Sequence, residues 1–265
     1  MKTKIIDFSK YSSIKIGPTL EVALLEDCSL DYSDYYLLGS YNNVLIGNNP
    51  PKLMMLSKKY DYIKIEENLL KIGAATPSGK INSFCKKHNI ANLEFLSHLP
   101  GKVGGLVYMN AGLKEYEIFN YLVNITTCNG VKQKKEIEYG YRYTDINYPV
   151  LEVALELSYG YSLEKVEMFK KMCSNQPSTP SAGSCFKNPP GDYAGRLIEA
   201  VGLKGQRVGD MEFSTEHANF LVNHGEGKFE DAIELIQEAQ KRVKEEFGIL
   251  LECEVVILEK DYQSK

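Results

Sequence analysis

Ser181-Ala182-Gly183-Ser184-Cys185-Phe186-Lys187-Asn188-Pro189-Pro190-Gly191 is the stretch around which the rest of the chain is arranged. It sets a hydroxyl, an ammonium and a carboxamide within five residues, between a glycine and two prolines. Gly183 permits positive φ or a close backbone approach, and Pro189-Pro190 stiffens the exit. If Ser184 to Phe186 is extended, Ser184 and Phe186 share one side while Cys185 and Lys187 share the other. Such a stretch reads either as a solvated turn after a strand, the commoner case, or as a fixed hydroxyl beside an apolar wall with cationic and amide groups at its rim.

Immediately upstream, residues 174–182 are polar and contain proline, which predicts a domain boundary. A helix is predicted before it, from Ser162 to Ser174, with Val166, Phe169, Lys170 and Cys173 at helical spacing. Strands at 121–128, 131–137 and 150–159 flank Tyr139-Gly140-Tyr141-Arg142-Tyr143-Thr144-Asp145. An arginine between tyrosines is either a stacked surface residue or a fork held for a carboxylate or phosphate.

Further back lies Leu96-Ser97-His98-Leu99-Pro100-Gly101-Lys102-Val103-Gly104-Gly105-Leu106-Val107-Tyr108-Met109-Asn110-Ala111-Gly112. Glycine is costly in a helix, so Gly104-Gly105 at the start of a short apolar one means that something sits against the backbone. That is either a neighbouring strand or an anion at the helix N-terminus. Tyr36 to Gly47 reads as strand, polar turn, strand, and its Gly39-Ser40-Tyr41-Asn42-Asn43 is either a hairpin turn or a nest of amides for an anion. Strands are also predicted at 3–8, 20–25, 53–56, 61–65 and 69–73, with a helix from Pro77 to about His88.

Downstream, a helix over 192–201 is predicted with Asp192 as its cap. His217 falls in a polar turn running into a strand and is by default a satisfied turn histidine. Phe229 to Phe247 carries apolar residues at 229, 232, 233, 236, 239, 243 and 247, the stripe of one long packed helix. Ile249 to Leu258 reads as a strand with Glu252 and Glu254 on one face; such acidic pairs usually face solvent, and a buried one is a candidate for handling protons.

Composition sets the outer bounds. A chain of 265 residues suits two modest domains or one elaborate one. A formal charge of −4 argues against nucleic-acid binding through bulk charge. No apolar run approaches the ~18 residues of a membrane helix, and the first residues lack a signal peptide's apolar region. The six cysteines show no Cys-x-x-Cys pair and no histidine at zinc spacing, so reduced thiols in the cytoplasm and no metal are expected.

Five of these stretches, in this order, carry a resemblance: Leu96-Ser97-x-x-Pro100-Gly101-x-Val103-Gly104-Gly105 with Asn110-Ala111-Gly112; Tyr141-Arg142-Tyr143; Gly183 to Pro189; Ala194-Gly195-Arg196-Leu197-Ile198; and Leu251-Glu252-x-Glu254-Val255. Together they resemble the UDP-N-acetylenolpyruvoylglucosamine reductase family over nearly the whole chain, in its shorter type without an added tyrosine loop. The resemblance implies an α+β fold: an FAD-binding region of the vanillyl-alcohol-oxidase type in two subdomains (1–57 and 58–173), a smaller substrate-binding domain (174–248), and a C-terminal strand (249–265) returning to the flavin region.

It implies FAD as cofactor and NADPH or NADH as reductant for a monomeric, cytoplasmic enzyme of peptidoglycan precursor synthesis. The substrate would be UDP-N-acetylglucosamine enolpyruvate. Ser184 matches the proton donor, and Arg142 with Glu254 the pair that stabilises the enol form. Gly39, Ser40, Asn42, Asn43, Ser97, Pro100, Gly101, Gly104, Gly105, Asn110, Ala111 and Gly112 fall at flavin positions, and Tyr141, Lys187, Asn188 and His217 at substrate positions. Four departures stand out: Tyr41 replaces the second glycine of the flavin diphosphate turn, His98-Leu99 replaces Gly-Ile, Leu113-Lys114-Glu115-Tyr116 replaces Ala-Tyr-Gly, and Val256 stands where a basic residue is common.

Overall fold

Val150–Glu156 is apolar at five of its seven positions and buried along nearly its whole length, as a central strand must be. It lies between Leu122–Thr127 and Leu69–Gly73 in a five-stranded antiparallel sheet whose outer strands are Gly130–Gln133 and Ile63–Glu66. This computed structural model describes residues 2–29, 31–260 and 262. The fold is α+β, and the chain divides into two units, one of Met1–Thr3, Ala23–Ser40 and Leu53–Ser174, the other of Lys4–Val22, Tyr41–Lys52 and Asn175–Lys265.

In the first unit the sheet is joined by the helices Ser78–Lys87, Val103–Tyr108 and Leu163–Met172. A second, parallel pairing aligns Ala23 with Met54 and Leu25 with Leu56. Its core centres on Phe95, Phe119 and Phe169 with Leu70, Ile72 and Val153, all 1% exposed or less. Each such side chain contributes about 1.5–3 kcal/mol relative to exposure.

The second unit has an antiparallel sheet ordered Ser181–Ser184, Phe220–Asn223, Met211–Phe213, Arg207–Val208. The helix Phe229–Phe247 buries Ala232, Leu235, Ile236, Ala239 and Val243, which recur at helical spacing, and ends at Gly248 in the left-handed region. Val44–Ile46 pairs in parallel with Val256–Leu258.

Four sequence expectations change. The predicted strand over 249–258 is regular only at Val256–Leu258, because the amides of Glu254 and Val255 both donate to the Cys185 carbonyl (2.9 and 3.3 Å). Two residues facing one make a bulge at Glu254-Val255, which interrupts regular pairing ahead of Val256. The helix predicted from 192 starts at Ala194, and its cap is not Asp192: Asn188 Oδ1 accepts the Ala194 N–H at 3.0 Å. The strand predicted over 131–137 ends at Gln133, where Lys134–Glu136 turns, Glu136 accepting the Gln133 amide. Finally, Cys28 and Cys128 are joined as a disulfide with Cα atoms 5.3 Å apart, whereas all six had been expected as thiols. Spacing could not pair cysteines 100 residues apart.

Among the described residues no helix is long and apolar enough to cross a membrane, and no cluster of three His, Cys, Asp or Glu could hold a metal.

Candidate active site

In the second unit Ser184 ends the strand Ser181–Ser184, where register against Phe220–Asn223 shifts. Gly183 before it has φ +79°, a conformation that glycine supplies without strain. Every main-chain group just after it is fixed. The Cys185 amide donates to Asn219 O (2.7 Å), and its carbonyl takes the two amides of the bulge. Phe186 exchanges both backbone bonds with the Asn219 carboxamide, at 3.0 and 2.8 Å, and Lys187 N–H donates to Glu252 O at 2.9 Å. The Ser184 hydroxyl, half-buried, has no hydrogen-bond partner among the described residues.

The same segment gathers other expected site residues of this unit. Glu254 is tied to it through its own amide, and its carbonyl accepts Asn43 Nδ2 at 2.9 Å. Lys187 Nζ sits 2.6 Å from Glu252. Asn188 is spent partly on the helix cap described above. The buried Cys185 thiol is pushed well above its usual range by desolvation, so it is inert as a nucleophile. His217 packs its ring on Phe220 and against Gly195, and its Nδ1 accepts the Asn219 amide at 3.2 Å. Burial holds that imidazole below the ordinary histidine value.

Tyr41 adopts φ +59°, the left-handed conformation a glycine would take in that turn, with its ring edge-on to Phe8 at 5.2 Å. The Tyr41 and Asn42 carbonyls face Ser13, whose hydroxyl donates to Asn42 O at 3.0 Å.

In the first unit the paired glycines separate into two kinds. A Cβ on Gly104 would meet Ala74 Cβ at 2.9 Å and its carbonyl at 3.0 Å, so this glycine serves helix–strand packing. The amides of Val103 and Gly104 are likewise taken by Thr76 O and Ala74 O. Gly105 instead faces Gly39, with nothing nearer its Cβ direction than the Gly39 Cα at 3.9 Å. Ser97 Oγ donates to Glu94 O and lies 2.8 Å from His98 Nδ1. Pro100 is exposed, and the Gly101 carbonyl accepts the Ser78 amide.

Arg142 sits in the left-handed region (φ +55°), a strained setting for a non-glycine residue. Its guanidinium donates to Gly112 O at 2.8 Å and reaches Asn110 O at 3.5 Å, over the Tyr141 ring. Asn110 is fully buried with φ +44°. Its amide donates to Glu117 and to Gly140 O, and its Oδ1 accepts the Phe119 amide. Asn110 and Gly112 thus fix the arginine through their carbonyls, and the Asn110 carboxamide is used wholly inside this unit. Sequence reasoning missed Asn219 and Glu117; the only signal was their closeness to quoted motifs.

A family profile described as "UDP-N-acetylenolpyruvoylglucosamine reductase, C-terminal domain" matches residues 176–258. The UDP-N-acetylenolpyruvoylglucosamine reductase of Helicobacter hepaticus is 46% identical, covering 98% of this chain and 100% of the relative. That of Campylobacter jejuni is 45% identical, covering 96% of this chain and 100% of the relative. The crystal structure of UDP-N-acetylenolpyruvylglucosamine reductase from Thermus caldophilus superposes with a TM-score of 0.86 at 30% identity, covering 97% of this chain and 99% of that one.

Proposed function

The chain belongs to the UDP-N-acetylenolpyruvoylglucosamine reductase family, and from that premise we propose that it reduces the enolpyruvyl group of UDP-N-acetylglucosamine enolpyruvate to give UDP-N-acetylmuramate. The reaction would run in the cytoplasm, for peptidoglycan precursor synthesis, on a monomer. FAD, when bound and reduced by NAD(P)H, supplies the hydride. The observation that carries the reading is Ser184: a hydroxyl with no protein partner among the described residues, followed by Cys185 and Phe186, whose amides and carbonyls are all bonded.

A serine hydroxyl is a weak acid, so it protonates carbon only where a strongly basic carbanion develops and geometry is held. Ser184 is proposed to deliver that proton to the carbon next to the one receiving hydride. Arg142 opposes the negative charge growing on the substrate carboxylate, and Glu254, in its protonated form, hydrogen-bonds to the enolate. Donors of this kind contribute roughly 3–4 kcal/mol each in other enzymes. Tyr141, Lys187, Asn188 and His217 are proposed to contact the sugar nucleotide.

The bare backbone where Gly39 meets Gly105 fits a group lying directly on main chain. We assign the flavin to these two glycines with Ser40, Asn42, Asn43, Ser97, Pro100, Gly101, Gly104 and Asn110–Gly112, within residues 1–57 and 58–173, and the substrate to 174–248, with 249–265 returning to the flavin region. Tyr41 supports the assignment, since its φ is the one the missing glycine would supply.

The test follows the flavin through two half-reactions. Purified protein should be yellow, be bleached by NADPH without oxygen, and recover its colour when the enolpyruvyl UDP-sugar is added. Ser184→Ala should leave bleaching nearly unchanged and slow recovery by about 10²–10⁴-fold. Protein that binds no flavin, or a variant slowed equally in both steps, would overturn the reading.

A further inference from the structure

Ser184 marks a break in a ladder. Its strand pairs with Phe220–Asn223, through a register shift, as far as Ser184 opposite Phe220, and the ladder on that side stops there, while on the other side Phe186 pairs with Cys253. One side chain takes over the pairing: Asn219, 3% exposed. Its backbone carbonyl accepts the Cys185 amide at 2.7 Å, its Oδ1 accepts the Phe186 amide at 3.0 Å, and its Nδ2 donates to the Phe186 carbonyl at 2.8 Å. These three bonds span the two residues that follow the serine. A carboxamide is the smallest neutral group that can accept and donate side by side, as a strand neighbour does. Aspartate in its ionised form would accept only, and alanine would leave Phe186 N–H and C=O buried without partners.

The same residue also reaches a second group of the proposed site. The Asn219 amide donates to His217 Nδ1 at 3.2 Å. A ring nitrogen that accepts a hydrogen bond carries no proton, so His217 is neutral and its one proton is on Nε2. The ring cannot turn freely, since it packs on Phe220 at 5.0 Å and its Cε1 lies 3.2 Å from where a Cβ on Gly195 would be.

We infer that Asn219 is the positioning residue of the reaction: its carboxamide and backbone carbonyl lock the segment bearing the Ser184 hydroxyl, and its backbone N–H sets His217 as an Nε2–H donor toward the sugar nucleotide. The inference rests on the function proposed above for Ser184. Asn219 touches neither substrate nor flavin in this role; it fixes the direction from which a weakly acidic hydroxyl meets carbon. Small errors in such a direction slow a proton transfer far more than they weaken binding.

Three variants test it: Asn219→Ala, Asn219→Asp and, as a structural control, Asn223→Ala. Asn223 is a second buried clamp of this unit, bonding Ile14 O, Gly225 N and Gly227 N. Hydrogen exchange of the Phe186 amide should quicken about tenfold or more in Asn219→Ala and stay as in wild type in Asn223→Ala. The ¹⁵N resonance of His217 Nδ1 should be that of an unprotonated acceptor in wild type and stay so in Asn219→Ala, because the donor to it is the backbone amide, which the variant keeps.

In the flavin assay, Asn219→Ala should slow recovery by the enolpyruvyl UDP-sugar about 10²-fold, with bleaching by NADPH within about twofold of wild type. Asn219→Asp, which keeps the acceptor for Phe186 N–H, should recover part of that loss and serves if the alanine variant does not fold. Unchanged Phe186 exchange in Asn219→Ala would overturn the inference, as would a protonated His217 Nδ1 in wild type, or faster exchange with recovery no slower than in Asn223→Ala. A wild-type protein whose flavin never recovers with substrate would overturn the function of Ser184 instead; the exchange and ¹⁵N measurements need no turnover and tell the two failures apart.

Discussion

Gly39 and Gly105 face each other with no side chain between them, the Cβ direction of each ending 3.9 Å from the other's Cα. Gly104, one residue earlier, has no such freedom, because Ala74 fills its side. Gly104→Ala should therefore lower stability by about 1–3 kcal/mol through overpacking. Gly105→Ala should keep or slightly raise stability, since alanine is favoured in helices by about 1 kcal/mol, and should weaken flavin binding. Urea midpoints and flavin titration of both variants check this; equal destabilisation by the two would refute the division.

Tyr41 at φ +59° holds a conformation that costs most side chains about 1–2 kcal/mol, and most of all β-branched ones. Tyr41→Asn should be tolerated better than Tyr41→Val by at least ~1 kcal/mol, because asparagine enters this region readily. Thermal melts of the two variants should rank them in that order, and the reverse order would mean that the turn is held open by something other than its backbone.

The Cys28–Cys128 bridge closes a loop of 100 residues. Breaking it should cost about 2–4 kcal/mol, with a reductant lowering the urea midpoint of wild type and leaving that of Cys28→Ser unmoved. Peptide mapping without reduction should find these two joined and the other four alkylated once unfolded.

His217 gives a sign for pH. Burial lowers its folded value below the unfolded one near 6.5, so the native state resists protonation more than the unfolded chain does. Its share of stability is complete above about pH 6.5 and declines as pH falls from there toward the lowered value. Wild type should thus lose melting temperature between pH 7 and 5.5 more steeply than His217→Asn, and parallel curves would count against the neutral ring. At far lower pH the Asp192–Arg196 pair adds a second decline: hydrogen bonds from Arg196 hold the Asp192 carboxyl down to about 2, so its share is lost as pH falls from about 4 to 2.

The long helix Phe229–Phe247 was legible in the sequence because one period governs nineteen residues and its stripe must be buried. Asp192 was misread as a helix cap because sequence offers two acceptors four positions apart. Pro189 decides between them, its carbonyl taking the Asp192 amide and turning the chain so that Asn188 meets the helix. Motif reading singled out Ser184 and Arg142 as candidates, each beside a purely structural alternative, and the roles proposed for them come from the family resemblance. Their supports, Asn219 and Glu117, stayed invisible, because a buried amide or carboxylate looks in sequence like any solvated one. Nor could sequence tell the packing role of Gly104 from the open face of Gly105.

Among the described residues Val44–Ile46 pairs in parallel with Val256–Leu258. On a ribosome, three residues made early must wait for more than two hundred others before their edge is covered, and non-local pairing of this kind slows folding. A nascent protein released short of Val256 would show the cell an unfinished strand edge, and its fate would be decided by chaperones before any substrate was met.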